Sequence, residues 1–117
     1  MKKILIVDDD RDLLHTLNAF LSKKYVIETI DRGREALNVA PAVMPDAILL
    51  DINLGDMDGK DVCKQLKKHP ATANIPVMMM SSALNEETIK KICFADEFIE
   101  KPFKIETLFL KLEKLFA

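Results

Sequence analysis

Four places in this sequence hold residue types that could together manage a phosphoryl group: Asp8-Asp9-Asp10, Asp51, Ser81-Ser82 and Lys101. If the aspartates converge, their ionised carboxylates repel one another strongly in a partly buried site and require compensation. Lys101 would supply one positive charge. A hard divalent cation would supply two more, and carboxylates with a backbone carbonyl and waters suit Mg2+, whose shell is often completed by a phosphate oxygen. A carboxylate can also act as a nucleophile and form an acyl phosphate. Phosphoryl transfer asks mainly for positioning and for neutralisation of the phosphoryl oxygens. In such a pocket Mg2+ would take one oxygen, the Lys101 ammonium a second, and the Ser81 hydroxyl with nearby backbone N–H a third. Asp51 is the best nucleophile candidate because it stands alone, whereas Asp8 and Asp9 are paired for metal duty.

Chemistry of this kind needs elements that bring distant residues together. Ile4-Leu5-Ile6-Val7 and Ala47-Ile48-Leu49-Leu50 are apolar throughout, as strands buried on both faces are. Residues 77–80, introduced by Pro76, form a fourth such strand; residues 25–30 form a more polar second one nearer an edge, and Phe98-Ile99 a short fifth. Between them Leu13, Leu14, Leu17, Phe20 and Leu21 fall at helical spacing. Further helices are expected over 33–40, stopped by Pro41, over 58–68, and from Asn85 through Phe94, where Asn85 is an N-cap type and Glu86 and Glu87 complement the dipole. Ile105, Leu108, Phe109, Leu112, Leu115 and Phe116 mark a last amphipathic helix. Alternating strands and helices imply an α/β fold, a doubly wound parallel sheet of five strands with five helices, because right-handed crossovers deliver helices to both faces. In such sheets ligands sit beyond the carboxyl ends of the strands, which is where all four clusters fall.

Composition narrows the field. The chain has 117 residues, with 17 Lys and Arg against 19 Asp and Glu, so a net charge of −2. One domain is the expectation at this length, and the slightly acidic balance argues against direct nucleic-acid binding. No apolar run is long enough for a membrane span or a signal-peptide core, so the reading expects no membrane association and a cytoplasmic location. Cys63 and Cys93 lack the spacing of a zinc site and read as buried free thiols. The Met78-Met79-Met80 run reads as core strand, His15 as a surface residue, and His69 as a helix-end residue. The lysines at 60, 64, 67 and 68 read as a solvated face. Each cluster also has a plain structural reading: the aspartates at 8–10 could cap the first helix, Asp51 could open a polar turn, and Ser81, Ser82 and Lys101 could sit in turns. Their joint occurrence at one end of four strands favours the site.

In order and interval, Ile4 to Asp10, Asp51-Ile52-Asn53-Leu54-Gly55-Asp56-Met57-Asp58-Gly59, Pro76 to Ser81, and Lys101-Pro102-Phe103 closely resemble the receiver domain of two-component response regulators, including stand-alone chemotaxis regulators. The resemblance spans essentially the whole chain. It implies a flavodoxin-like sheet of order 2-1-3-4-5, and phosphorylation of Asp51 by a sensor histidine kinase, a phosphotransfer protein or a small donor such as acetyl phosphate. It implies that Asp8, Asp9, Asp51 and the backbone carbonyl of Asn53 hold Mg2+. Ser81 would move toward the phosphoryl group, Lys101 would pair with it, and Phe98 would turn inward as Ser81 moves. The surface of the fourth helix, fifth strand and fifth helix would then bind a downstream protein target. The chain would catalyse only its own phosphorylation and slow autodephosphorylation.

Two positions depart from the family pattern. Gly55 stands where Pro is usual, and Phe94 where Gly usually precedes the Ala-Asp pair. Three alternatives accompany the main reading. The chain could be an interaction module that uses this fold without phosphorylation. It could be a receiver from a longer regulator or hybrid kinase rather than a stand-alone protein. Or it could be a small phosphatase with an aspartyl nucleophile, given the formal D-x-D of Asp8-Asp9-Asp10.

Overall fold

The computed structural model describes residues 1–82 and 93–117. The apolar runs become strands: β1 (Lys3–Val7), β2 (Val26–Ile30), β3 (Ala47–Asp51), β4 (Val77–Ser81) and β5 (Glu97–Glu100). All pairings are parallel and the order is β2-β1-β3-β4-β5. The polar strand β2 is an edge, as its composition suggested, while β3 and β4 are buried at every residue. Alternate side chains of the inner strands serve two cores. Leu5, Val7, Ile48, Leu50, Val77 and Met79 face α2 (Gly33–Val43) and α3 (Gly59–Lys68) through Ala36, Ala40, Val62, Cys63 and Leu66. Ile4, Ile6, Leu49, Met78 and Met80 face α1 (Arg11–Leu21) and α4 (Ile105–Leu115) through Leu14, Leu17, Leu21, Leu108 and Leu112. Burying each such side chain contributes about 1.5–3 kcal/mol, so the sheet is the rigid base on which the strand ends are mounted.

Register decides what meets at those ends. Val7 lies opposite Leu50, Asp51 opposite Met80, and Ser81 opposite Glu100. Asp8, one residue past Val7, therefore stands level with Asp51 on the adjacent strand, and Lys101 leaves β5 one residue past Glu100, with β4 between it and Asp51.

Two expectations need amendment. The helix expected to stop at Pro41 runs on to Val43: Pro41 lies in its final turn, where its missing N–H forfeits one backbone bond and the helix continues for only two residues more. It ends instead at Met44, whose left-handed φ of 51° turns the chain and whose N–H closes on the Ala40 carbonyl. Lys67 does not belong to the solvated face: its ammonium reaches the Ile75 carbonyl at 2.8 Å and Asp96 at 2.7 Å, as a long methylene stem permits. Four helices occur among the described residues, against five expected; the helix expected from Asn85 falls largely on 83–92, outside them. Both cysteines are buried and neither is in a disulfide.

Candidate functional site

The pocket begins with Asp8, the first residue past β1, which is fully buried. One of its oxygens accepts the Asp10 N–H at 2.9 Å, and the other lies 2.7 Å from Lys101 Nζ. Asp9 is exposed beside it. The three consecutive aspartates thus divide their work. Asp10 is the N-cap of α1 and accepts the Leu13 N–H at 3.1 Å, so the capping reading holds for that residue alone. Asp51, at the tip of β3, is 4% exposed and stands 3.4 Å from Lys101 Nζ. Ligand oxygens of Asp8, Asp9 and Asp51 all lie within 4.8 Å of one another. Ser81, 2% exposed, closes the tip of β4, and its carbonyl accepts the Lys101 N–H at 2.8 Å. That backbone bond sets where the Lys101 side chain starts. Phe98, on β5, is buried among Met79, Cys93 and Ala95 at 1% exposure.

The electrostatics are those of a cation site. Three carboxylates face one ammonium, leaving two negative charges uncompensated. Burial pushes the Asp51 carboxyl above its usual range, and the neighbouring Asp8 charge adds to this; Lys101 and the Asn53 N–H oppose it. Burial alone would lower Lys101, but its hydrogen bond to Asp8 and the charges of Asp8 and Asp51 hold it above the usual lysine range. An all-oxygen donor set with a net charge of this sign fits a hard divalent cation such as Mg2+.

The loop 52–58 wraps this pocket. Asn53 bridges to Asp58, Asp58 caps α3 by accepting the Lys60 N–H at 2.9 Å, and the Gly59 N–H reaches the Ile52 carbonyl at 2.7 Å. A Cβ at Gly59 would land on the Asp51 carbonyl oxygen and within 2.7 Å of Ile52 Cα. Only glycine lets α3 start so close to the nucleophile candidate. Gly55 has looser surroundings, since a Cβ there would meet Asp9 Oδ2 at an ordinary 3.6 Å.

Asp56 escaped the sequence reading. Its carboxylate accepts the N–H groups of Gly33 at 2.8 Å and Arg34 at 3.0 Å, the first two residues of α2. Those two bonds hold its carboxyl below the usual range. The signal available was indirect: the N-cap position of α2 is Arg32, which makes no side-chain cap, so the helix needed an acceptor from elsewhere.

Comparison with known proteins places the chain in context. The family model described as "Response regulator receiver domain" matches residues 4–113. The response regulator MprA of Mycolicibacterium vanbaalenii is 34% identical over 114 residues, covering 97% of this chain and 49% of that protein. This chain spans about half the length of the curated relatives it matches. Among solved structures, the chemotaxis protein CheY4 of Vibrio cholerae superposes with a TM-score of 0.92 at 30% identity, with 98% of each chain covered. The signal receiver domain of a histidine kinase from Syntrophus aciditrophicus gives 0.89 at 31% identity, covering 98% of this chain and 89% of that one.

Proposed function

The chain belongs to the response regulator receiver domain family of two-component systems, and on that premise we propose that Asp51 is its phosphoacceptor. The observation that carries this reading is the meeting of Asp51 with Asp8, Asp9 and Lys101 at the carboxyl ends of β1, β3 and β5. An Asp51 oxygen attacks phosphorus, the bond from phosphorus to the donor nitrogen or oxygen breaks, and an acyl phosphate forms. Asp8, Asp9, Asp51 and the Asn53 carbonyl are the residues that would hold Mg2+, which when bound neutralises phosphoryl oxygen charge. Lys101 is already held beside Asp51 and pairs with a second oxygen. The Ser81 hydroxyl serves a third. The chain acts on itself: it catalyses its own phosphorylation and the slow hydrolysis that reverses it.

The donor is a sensor histidine kinase or a phosphotransfer protein, with acetyl phosphate as a small surrogate. The output is a protein contact on the surface around β5 and α4, selected by the movement of Ser81. Because Phe98 is buried, phosphorylation deepens the preference for an inward ring rather than swinging it in from solvent. Among the described residues no helix is long and apolar enough to cross a membrane, which suits a cytoplasmic partner of such a kinase. The phosphatase reading is disfavoured by Asp10, whose carboxylate is committed to capping α1 rather than free as a general acid.

The test is intact mass after incubation with acetyl phosphate. The reading expects a gain of one phosphoryl group that requires Mg2+ and is lost in Asp51→Asn. A folded wild-type protein that gains nothing from acetyl phosphate, and binds no beryllofluoride in the presence of Mg2+, would instead be a phosphorylation-independent module.

A further inference from the structure

The tip of the loop 52–58, Leu54-Gly55-Asp56-Met57, lies between the acidic cluster and the first turn of α2. On one side, Gly55 is close enough to Asp9 for an added Cβ to touch its carboxylate at 3.6 Å. On the other, Asp56 takes both N–H groups at the start of α2, at 2.8 and 3.0 Å. The apolar residues of the tip use the same neighbour. A Cβ on Gly33 would stand 3.0 Å from Leu54 Cδ1 and 3.3 Å from Met57 Cγ, so Leu54 and Met57 pack directly beneath the start of the helix. The base of the loop is pinned separately, by the Asn53–Asp58 bridge and the Gly59–Ile52 bond. The Asn53 N–H, at that base, also favours the charged Asp51 carboxylate.

We propose that Asp56 is a positioning residue for the pocket: by tying the loop tip to α2, it holds the loop against the acidic cluster and sets the pocket's affinity for Mg2+. The inference rests on the receiver reading, because it presumes that the cluster takes this cation. The physical case is that a loop offering a carbonyl ligand binds well only if the ligand is held in place beforehand. A carboxylate gripping two helix N–H groups also holds better than a neutral cap, since its charge favours the positive end of the helix dipole. Among the described residues the Asp56 carboxylate accepts from Gly33 and Arg34, so it acts through the loop.

The experiment measures the Mg2+ dissociation constant by calorimetry for wild type, Asp56→Ala, Asp56→Asn and Gly33→Ala, with urea unfolding of each to establish that it is folded. Asp56→Ala should weaken Mg2+ binding by about 3–10-fold, toward the low end of losses seen when outer partners of metal ligands are removed. Asp56→Asn keeps one acceptor and should lose distinctly less. Gly33→Ala alters no charge but presses on Leu54 and Met57, and should weaken Mg2+ as well. Unchanged Mg2+ affinity in Asp56→Ala, with a lowered urea midpoint, would make Asp56 a helix cap and nothing more. Equal losses in Asp56→Asn and Asp56→Ala would assign the effect to remote charge and overturn the proposal. Wild-type protein that binds no Mg2+ would bring down the receiver reading first and this inference with it.

Discussion

Replacing Asp51 by Asn should make the metal-free protein more stable, even though it removes the central functional group. Asp8 lies within 4.8 Å of Asp51, which at an effective dielectric of about 20 amounts to about 3.5 kcal/mol of repulsion. The exposed Asp9 adds a screened share of about 1 kcal/mol. Against these, Lys101 at 3.4 Å returns about 5 kcal/mol of attraction. The Coulomb contributions nearly cancel, so burial decides the sign. Stripping water from a carboxylate costs several kcal/mol, only partly recovered by one backbone N–H. The neutral amide avoids that cost, and the expected net gain is about 1–3 kcal/mol. For a chain of this size each kcal/mol is worth roughly 3–5 °C in Tm.

The assay is thermal and urea unfolding in chelator, at neutral and at acidic pH. The upward shift of the Asp51 carboxyl fixes the sign of the pH dependence. A carboxyl whose folded pKa is raised supports stability at low pH and loses that support as pH rises through the folded value. The advantage of Asp51→Asn should therefore be full at neutral pH and shrink as acid protonates the wild-type group. Mg2+ should stabilise the wild type and do less for the variant. If Asp51→Asn is no more stable in chelator at neutral pH, or if its advantage survives acidification undiminished, the electrostatic account of the pocket is wrong.

Four further outcomes are expected. Gly59→Ala drives a Cβ into the backbone at Asp51 and Ile52, so it should cost about 3 kcal/mol or more in urea unfolding; a fall of less than about 1 kcal/mol contradicts the close packing. Phe94 holds a left-handed φ of 59° and is 63% exposed, so Phe94→Gly should gain about 1 kcal/mol, and a loss would show that the ring has packing value. Asp10→Ala should cost about 1 kcal/mol as a lost helix cap while leaving the Mg2+ dissociation constant in place. Lys101→Met strands Asp8 and Asp51 without their shared cation, so it should lower metal-free stability by about 2–3 kcal/mol, and Mg2+ should restore part of that loss.

Much of this was legible in the residues. The runs at 4–7, 47–50 and 77–80 fix the central strands because only a sheet covered on both faces accommodates unbroken apolar sequence. Once those strands are parallel and in register, Asp8 and Asp51 have to meet, and Lys101 reaches them from the end of β5. What was illegible depended on partners distant in sequence or on local backbone. Pro41 reads as a stop signal, yet the helix bears the one bond its missing N–H forfeits and ends two residues later. Lys67 reads as surface until Ile75 and Asp96 are found beside it. The mismatch of Phe94 with the family's usual glycine is visible in sequence, but its left-handed φ is not. Asp56 looks like an ordinary turn residue because the helix it caps starts 23 residues earlier.

The central claim is that a phosphoryl group is carried on the Asp51 carboxylate. The most direct measurement is borohydride reduction of the protein after treatment with acetyl phosphate and Mg2+, followed by peptide sequencing by mass spectrometry. An acyl phosphate on an aspartate is reduced to homoserine, whereas a free carboxylate is untouched. Homoserine at position 51, dependent on Mg2+, is the predicted result. Homoserine at position 8 or 9 instead, with Asp51 intact, would contradict the assignment.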